Sequence, residues 1–425
     1  MKKTAAAFVL VVFSMALFLP FAFSSQEVNA QSSGYSIQRI DHSVQVLYSG
    51  DIVVTDSIQL SGQMPGTFEF GLPFKYSSRL LKAFAYDSNF QVLPVAVGLQ
   101  LQQQSGFYGI SVSLSAGTSN NFTAIFILSN DVFTQTSNYR YSFDFPAYLA
   151  FTQNVGVFSA SITLPFGTSI VGVDKPDGIV NASSYYKQDL AAFTYAPATA
   201  TFFSLTYGYI QKVDIPSLTR QISVNPSGAL TCTDTYKIVN NSTDSIIFFQ
   251  FDIPFAAKNV VARDQFGTVL PYSTSYAGTI ATENVTLSVG LRPGESSMLS
   301  LDYSLPSISP SQSGRFVLNL DLLEYFSYYI NSASVTVVPP EGATFVTPEL
   351  SKIGSSTDMK RDAFQQTLTI SRQGVSYIDS IIPSEDVVPI AYEFNSLWIA
   401  FRPASWRPAP PAFGSPTETN RCSQP

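Results

Sequence analysis

Ser159-Ala-Ser-Ile-Thr-Leu164 returns 173 residues later as Ser332-Ala-Ser-Val-Thr-Val337. In both segments small polar residues alternate with apolar ones, the period of a strand buried on one face. Working outward from this pair, the same order recurs on both sides. Phe68-Glu-Phe70, Leu72, Pro73 and Phe74 return as Phe249-Gln-Phe251, Ile253, Pro254 and Phe255, an offset of 181. Val44, Val46, Gly50, Thr55 and Asp56 return at an offset of 178 as Ile222, Val224, Gly228, Thr233 and Asp234. Ala85, Asp87, Val92, Leu93 and Pro94 match Ala262, Asp264, Val269, Leu270 and Pro271 at 177. Val112, Leu114 and Gly117 match Val289, Leu291 and Gly294 at 177, and Arg140 matches Arg315 at 175. Chance supplies one such match between two apolar, β-rich stretches; it does not supply six in order.

The expected fold is therefore all-β: two tandem antiparallel β-sandwich domains arising from an internal duplication, residues 33–210 and 211–395. Each is long enough to close its own core. Val44, Val46 and Tyr48 are apolar with Gln45 between the first two, and Ile110, Val112 and Leu114 alternate with serines, as strands do. The recurring Gly and Pro mark turns. Asp56/Asp234 and Asp87/Asp264 are expected to cap turns or strand ends, because Asp bonds its own backbone there. Leu322 to Tyr329 is the best candidate for a short helix.

Composition excludes most chemistry. The chain has 425 residues, 12% charged and 14% aromatic, a mean hydropathy of +0.15 and a net charge of −7. That is too apolar for a disordered chain and too acidic for a nucleic-acid partner. A single His excludes zinc sites built on paired histidines, and two Cys, 232 and 422, exclude a disulfide framework. No metal or cofactor is expected.

The ends read as processing and linker segments. Lys2 and Lys3 precede an uncharged run from Ala5 to Phe23, and Val28-Asn-Ala30 offers a small residue for cleavage. Residues 1–30 thus form a signal peptide, with Pro20 favouring cleavage over an uncleaved anchor. Residues 396–425 read as a Pro-rich disordered tail. Export would make five sequons available for glycosylation: Asn121, Asn181, Asn240, Asn241 and Asn284. Asn240 and Asn241, in a polar run, sit in the most obviously exposed loop.

No catalytic constellation emerges. His42, between Asp41 and Ser43, reads as a surface imidazole at a strand edge, because sequence neighbours on a strand point apart. Its counterpart in the second copy is Arg220. Cys232 matches Val54 and reads as a small buried hydrophobe; a disulfide to Cys422 would tie a core strand to the tail. Tyr185, Tyr186, Tyr328 and Tyr329 are candidates for stacking on sugar or peptide, against the commoner role of such rings in sandwich cores.

Several segments resemble ribophorin I, the large non-catalytic subunit of the oligosaccharyltransferase complex. They are Ser217-Leu-Thr-Arg220, Ala262-Arg-Asp-Gln-Phe-Gly-Thr-Val269, Asp302-Tyr-Ser-Leu-Pro-Ser307, Val335-Thr-Val-Val-Pro-Pro-Glu-Gly342 and Asp386-Val-Val-Pro-Ile-Ala-Tyr-Glu-Phe-Asn395. The resemblance covers roughly Ile210 to Arg402 and is weaker in the first copy. It implies two β domains on the luminal or outer side of a membrane, supporting a catalytic subunit that transfers lipid-linked glycan to Asn. It carries over no catalytic residues. Family members have a membrane helix just after the segment matching Asp386–Asn395. In this chain Arg402-Pro-Ala-Ser-Trp-Arg-Pro follows instead, either a tail in its own right or a frame-shifted end.

The sequence thus points to an exported, non-catalytic binding or scaffold protein, an accessory factor for N-glycosylation at the outer or luminal face of a membrane. The expected partner is a membrane oligosaccharyltransferase catalytic subunit or an acceptor polypeptide, with membrane proximity through that partner or through an uncleaved N-terminal segment. The rival readings are a cell-surface structural or adhesion protein on the same fold, and a carbohydrate-active hydrolase using two carboxylates. Strand addition of an extended peptide at a sheet edge is a further binding mode.

Overall fold

A computed structural model describes residues 34–394, apart from 116–117, 138–139, 166–167, 175, 182, 205–209, 278–279, 310–314, 322–327, 347–355 and 377–386. The signal segment, the tail and Cys422 lie outside the described residues, as does the expected helix apart from Tyr328 and Tyr329. What is described is almost entirely strand, with two short 3-10 turns at Phe74–Arg79 and Asn130–Val132.

Two eight-stranded sheets dominate. The first runs Ile179–Asn181, Ser184–Leu190, Val155–Thr163, Tyr35–Val46, Ile52–Gly62, Asn121–Leu128, Leu80–Asp87, Val92–Leu93. The second runs Ser356–Arg361, Gln366–Val375, Ile330–Val338, Val213–Val224, Leu230–Asn240, Ser296–Leu305, Lys258–Arg263, Val269–Leu270. The two orders agree strand for strand. Both contain one parallel pair, Tyr35–Val46 with Val155–Thr163 and Val213–Val224 with Ile330–Val338, where purely antiparallel sheets were expected. Strand direction leaves no mark on residue alternation, so this pairing is not visible in the pattern.

The layer facing each large sheet is split in two. In the first domain one half is Ala150–Phe151, Thr67–Pro73, Phe107–Ser113, Val95–Leu99 and the other is Thr168–Val173, Pro197–Ser204, Arg140–Pro146, Phe133–Ser137. The second domain matches these with Ile246–Pro254, Ile280–Leu291, Tyr272–Ala277 and with Thr344–Val346, Val387–Glu393, Arg315–Asp321. Each domain has its own apolar core: one closes on residues from Ile37 to Ile210, the other on residues from Val213 to Tyr392.

The central strands show why the sequence folds this way. In Tyr35–Val46 the buried residues are Ile37, Ile40, His42, Val44 and Val46. The odd step from Ile37 to Ile40 is absorbed by a bulge between Ile37 and Arg39. Val213–Val224 repeats this: Ile215 and Leu218 are both buried across an irregularity between Asp214 and Ser217. Pro216, with no N–H to pair, sits within it.

The domains meet at the turn that joins the first two strands. The Tyr48 carbonyl accepts a bond from Gln211 N at 2.7 Å, and Ser49 O accepts one from Val213 N. Asn130 Nδ2 donates to Ser49 O and Val213 O, both at 3.1 Å. Further out, Gln135 Nε2 donates to Asp244 Oδ2 at 2.7 Å and Lys82 Nζ donates to Gly374 O at 2.8 Å.

Candidate functional site

The sequence expectation fails most informatively at His42 and Asp56. They face each other across adjacent antiparallel strands. Both point into the core, His42 2% exposed and Asp56 0%. His42 Nδ1 lies 2.7 Å from Asp56 Oδ1. The surface position expected for His42 and the capping role expected for Asp56 are therefore both corrected. The alternation of Ile40, Val44 and Val46 puts His42 on the inward phase, as Val54 and Ile58 do for Asp56.

The same place in the second domain holds Arg220 and Asp234, again directly opposite. Asp234 too is inward and buried, so its expected capping role is corrected in the same way. Arg220 Nε and Nη2 donate to the two carboxylate oxygens at 2.8 and 2.7 Å, a bidentate pair. Burial opposes the Arg220 charge, yet the Asp234 carboxylate outweighs it and holds the guanidinium well above its ordinary value. Tyr303 Oη also donates to Asp234 Oδ2, at 3.1 Å. Cys232 lies in the same strand, buried, its thiol pushed up to about 12 chiefly by desolvation, so it stays an unreactive thiol.

The pairs differ in completeness. Phe126 in the first domain takes the register position that Tyr303 takes in the second, opposite Val54 and Cys232 respectively. Asp56 Oδ2 and His42 Nε2 are consequently buried without a hydrogen-bond partner. His42 borders an apolar cavity of about 40 Å³. Val44 and Ile162 line it from the large sheet, and Phe143 and Phe145 from the opposing strand. Tyr185 closes one side; its hydroxyl donates to Asp177 Oδ1 at 3.1 Å, and Lys187 pairs with the same carboxylate.

Asp87 and Asp264 do cap turns, by the same geometry. Asp87 Oδ1 accepts from Asn89 N and Gln91 N at 2.8 and 3.0 Å. Asp264 Oδ1 accepts from Phe266 N and Thr268 N, both at 2.9 Å. A second surface depression holds two carboxylates, Asp41 and Asp87. Asp41 is bound by Arg39 and Ser159, and Asp87 by its turn, so both are occupied by structural bonds.

Among the sequons, Asn121, Asn181 and Asn241 are exposed and Asn284 is half-buried in a central strand. Asn240 corrects the expected loop position: it is fully buried, its amide donating to Asp244 O and Leu291 O at 2.8 Å. It holds the loop together from within. Of the tyrosines considered for stacking, Tyr185 and Tyr328 are buried, Tyr329 is half-buried between the domains and Tyr186 is exposed. The sequence reading misses Asp51, buried at the interdomain turn. It accepts from Ser49 Oγ at 2.6 Å and Asn130 N at 3.0 Å, and desolvation, with Asp214 nearby, pushes its carboxyl up to about 7.

No group of three or more His, Cys, Asp or Glu side chains placed to hold a metal occurs among the described residues, and none of their helices is long and apolar enough to cross a membrane. The architecture defines an all-β protein with two similarly ordered large sheets. No family profile and no curated protein matches the chain. Solved structures with some likeness include an M1 zinc metallopeptidase from Deinococcus radiodurans, at 17% identity over 43% of this chain and 42% of that one, TM-score 0.29. A putative nutrient binding protein from Legionella pneumophila matches at 9% identity over 44% and 69%, TM-score 0.31. An aminopeptidase N family protein from Idiomarina loihiensis matches at 12% identity over 38% and 29%, TM-score 0.26. This chain thus spans less than half the length of either peptidase, and likenesses this low carry no inference about activity, metal or substrate.

Proposed function

We propose that this chain is an exported, non-catalytic binding or scaffold protein, organised like ribophorin I and serving as an accessory factor for N-glycosylation at the outer or luminal face of a membrane. One observation carries the non-catalytic part: the chain's single imidazole occupies a buried position that the other domain fills with Arg220. A guanidinium cannot act as a general base near neutral pH. What the two positions share is an ionisable side chain tying two central strands through a carboxylate, and that is a structural task.

The binding part is supported by paired exposed aromatics. Phe74 and Phe255 follow the matching Pro73 and Pro254 and are 62% and 58% exposed. Each rests edge-on against a tyrosine, Tyr108 at 6.4 Å and Tyr276 at 5.4 Å between ring centres. Large exposed rings at matching places offer two similar contacts to one extended partner.

Chemical crosslinking in the native membrane, followed by capture and mass spectrometry, tests this reading. The expected result is enrichment of a membrane oligosaccharyltransferase catalytic subunit, lost in Phe74→Ser/Phe255→Ser. Enrichment of cell-wall or surface-layer components instead would favour the adhesion reading and overturn the accessory-factor one.

A further inference from the structure

We propose that the outer face of the first domain's large sheet carries a binding site for a neutral saccharide, one or two pyranose rings laid against Phe90 and Tyr86. The site is the surface depression beside Asp41, about 280 Å³ in volume, near the lower end of the range for small-ligand sites. Its floor is built by strand register. Asp41 pairs with Ser57, Ser57 with Thr123 and Thr123 with Tyr86, a row across four neighbouring strands that ends in a ring. A second row, Arg39, Gln59 and Asn121, runs beside it. Alternation turns these side chains outward, because Ile40, Ile58, Phe122 and Ala85 next to them fill the core. The ring at the end of the row is doubled: Phe90 stacks on Tyr86, centres 5.7 Å and planes 14° apart. Tyr86 in turn packs on the buried cluster of Leu47, Val53, Ile125 and Ile127, which fixes the platform in advance of binding.

Phe90 is the observation that carries the inference. Its backbone is left-handed, φ +59°, a conformation that a bulky residue rarely adopts. The second domain closes the same turn with a glycine at φ +82°, Gly267 N donating to Asp264 O as Phe90 N does to Asp87 O. The turn therefore has no need of a ring, and the Phe90 ring is 51% exposed, so the core gains little from it. Strain kept at an exposed aromatic points to a contact made outside the chain. The matching row of the second domain, Thr219, Thr235, Ser300 and Arg263, has no ring, and Arg263 is tied to Asp302. An aromatic face beside hydroxyl and amide groups suits a sugar, whose axial C–H bonds make an apolar face and whose hydroxyls ring its edge. Arg39 and Asp41 neutralise each other through two bonds of 2.8 Å, and Asp87 is turned to its own loop, so the site selects a neutral ligand. The same bonds leave neither carboxylate poised as acid or nucleophile: the sugar is held, not cleaved.

The inference is independent of the accessory-factor reading: an adhesion protein would use the site equally, and failure to capture a membrane partner would leave sugar binding untouched. Asn121 borders the depression and is a sequon, so the full chain is produced in a host that attaches no N-glycans. Titrations with cellobiose and with N,N′-diacetylchitobiose are followed by calorimetry and saturation-transfer NMR. At least one of the two is expected to bind saturably, with saturation passing from aromatic protons most strongly to the axial C–H protons of one pyranose. Phe90→Gly, which installs the second domain's own residue, is expected to weaken binding about tenfold while the unfolding midpoint does not fall. Phe90→Tyr, which keeps the ring, is expected to retain binding. No saturable binding of either sugar, or equal binding by the parent chain and Phe90→Gly, would overturn the proposal.

Discussion

His42–Asp56 and Arg220–Asp234 stand at the same register of two similarly ordered sheets, and the comparison separates what a position requires from what a residue supplies. Both positions tolerate ionisable groups in a core only because the partner lies directly opposite. In the second domain the pair is saturated: a bidentate guanidinium plus the Tyr303 hydroxyl. In the first, a smaller imidazole and Phe126 leave two polar atoms unbonded and a cavity alongside. The second domain uses the position for cohesion; the first holds cohesion and room together.

The comparison breaks most sharply if one partner is removed. Arg220→Met leaves Asp234 charged, buried and facing Met, and should cost about 3–5 kcal/mol in denaturant unfolding. Arg220→Met with Asp234→Leu should recover most of that loss, because a well-packed apolar pair of similar volume replaces a buried ion pair at little cost. Tyr303→Phe gives the second domain the first domain's third member. It removes a hydrogen bond to a charged group and should lower stability by about 1.5–3 kcal/mol. The reverse change, Phe126→Tyr, supplies Asp56 Oδ2 with the donor it lacks and should raise first-domain stability by about 1 kcal/mol, read as a shift in the unfolding midpoint.

A second contrast lies in the two turns that follow the central strand. The first, Leu47 to Asp51, is buried against the second domain and carries Asp51, whose carboxyl sits at about 7 through burial. The second, Asn225 to Ala229, is closed by its own side chain, Asn225 Oδ1 accepting from Ser227 N and Ala229 N. A carboxyl raised above its unfolded value contributes stability fully at pH below about 4, and that contribution is lost as pH rises through about 7. The interdomain contact should therefore weaken as pH rises from about 4 through about 7, with Asp214 and half-buried Lys212 the charged neighbours. Asp51→Asn should flatten that pH dependence. An unfolding midpoint that is independent of pH in the parent chain would show that Asp51 plays no such part. At Gly228 φ is +83° and an added Cβ would meet the Ile308 backbone oxygen at 2.0 Å, so the turn must shift to admit it; Gly228→Ala should cost more than about 1 kcal/mol, read in denaturant unfolding.

Much of the architecture is legible because strands carry a period of two. The alternation in Ser159–Leu164 and Ser332–Val337 marks strands at matching places in the two large sheets. Asp87 and Asp264 are legible as caps because an Asp followed by a short polar turn bonds locally. The inward carboxylates are missed for the same reason: the turn preference of Asp outweighs, in the reading, the Val54 and Ile58 that flank Asp56 on the buried phase. The signal is present in the repeat itself, where His42 becomes Arg220 while each keeps an Asp fourteen residues on. Asn240 misleads because a polar run reads as exposed, whereas a buried amide can organise such a run from inside. The cavity has no signature at all; it arises where residues from several strands meet, and no local pattern records that.

The most direct test makes the first domain's site into the second's by the double substitution His42→Arg/Phe126→Tyr. If these positions are interchangeable structural ties, the variant folds, its unfolding midpoint is at least that of the parent chain, and its capture of a membrane partner is unchanged. A variant that folds equally well but no longer captures that partner would show that the imidazole itself does the protein's work, and would contradict the structural role assigned to it.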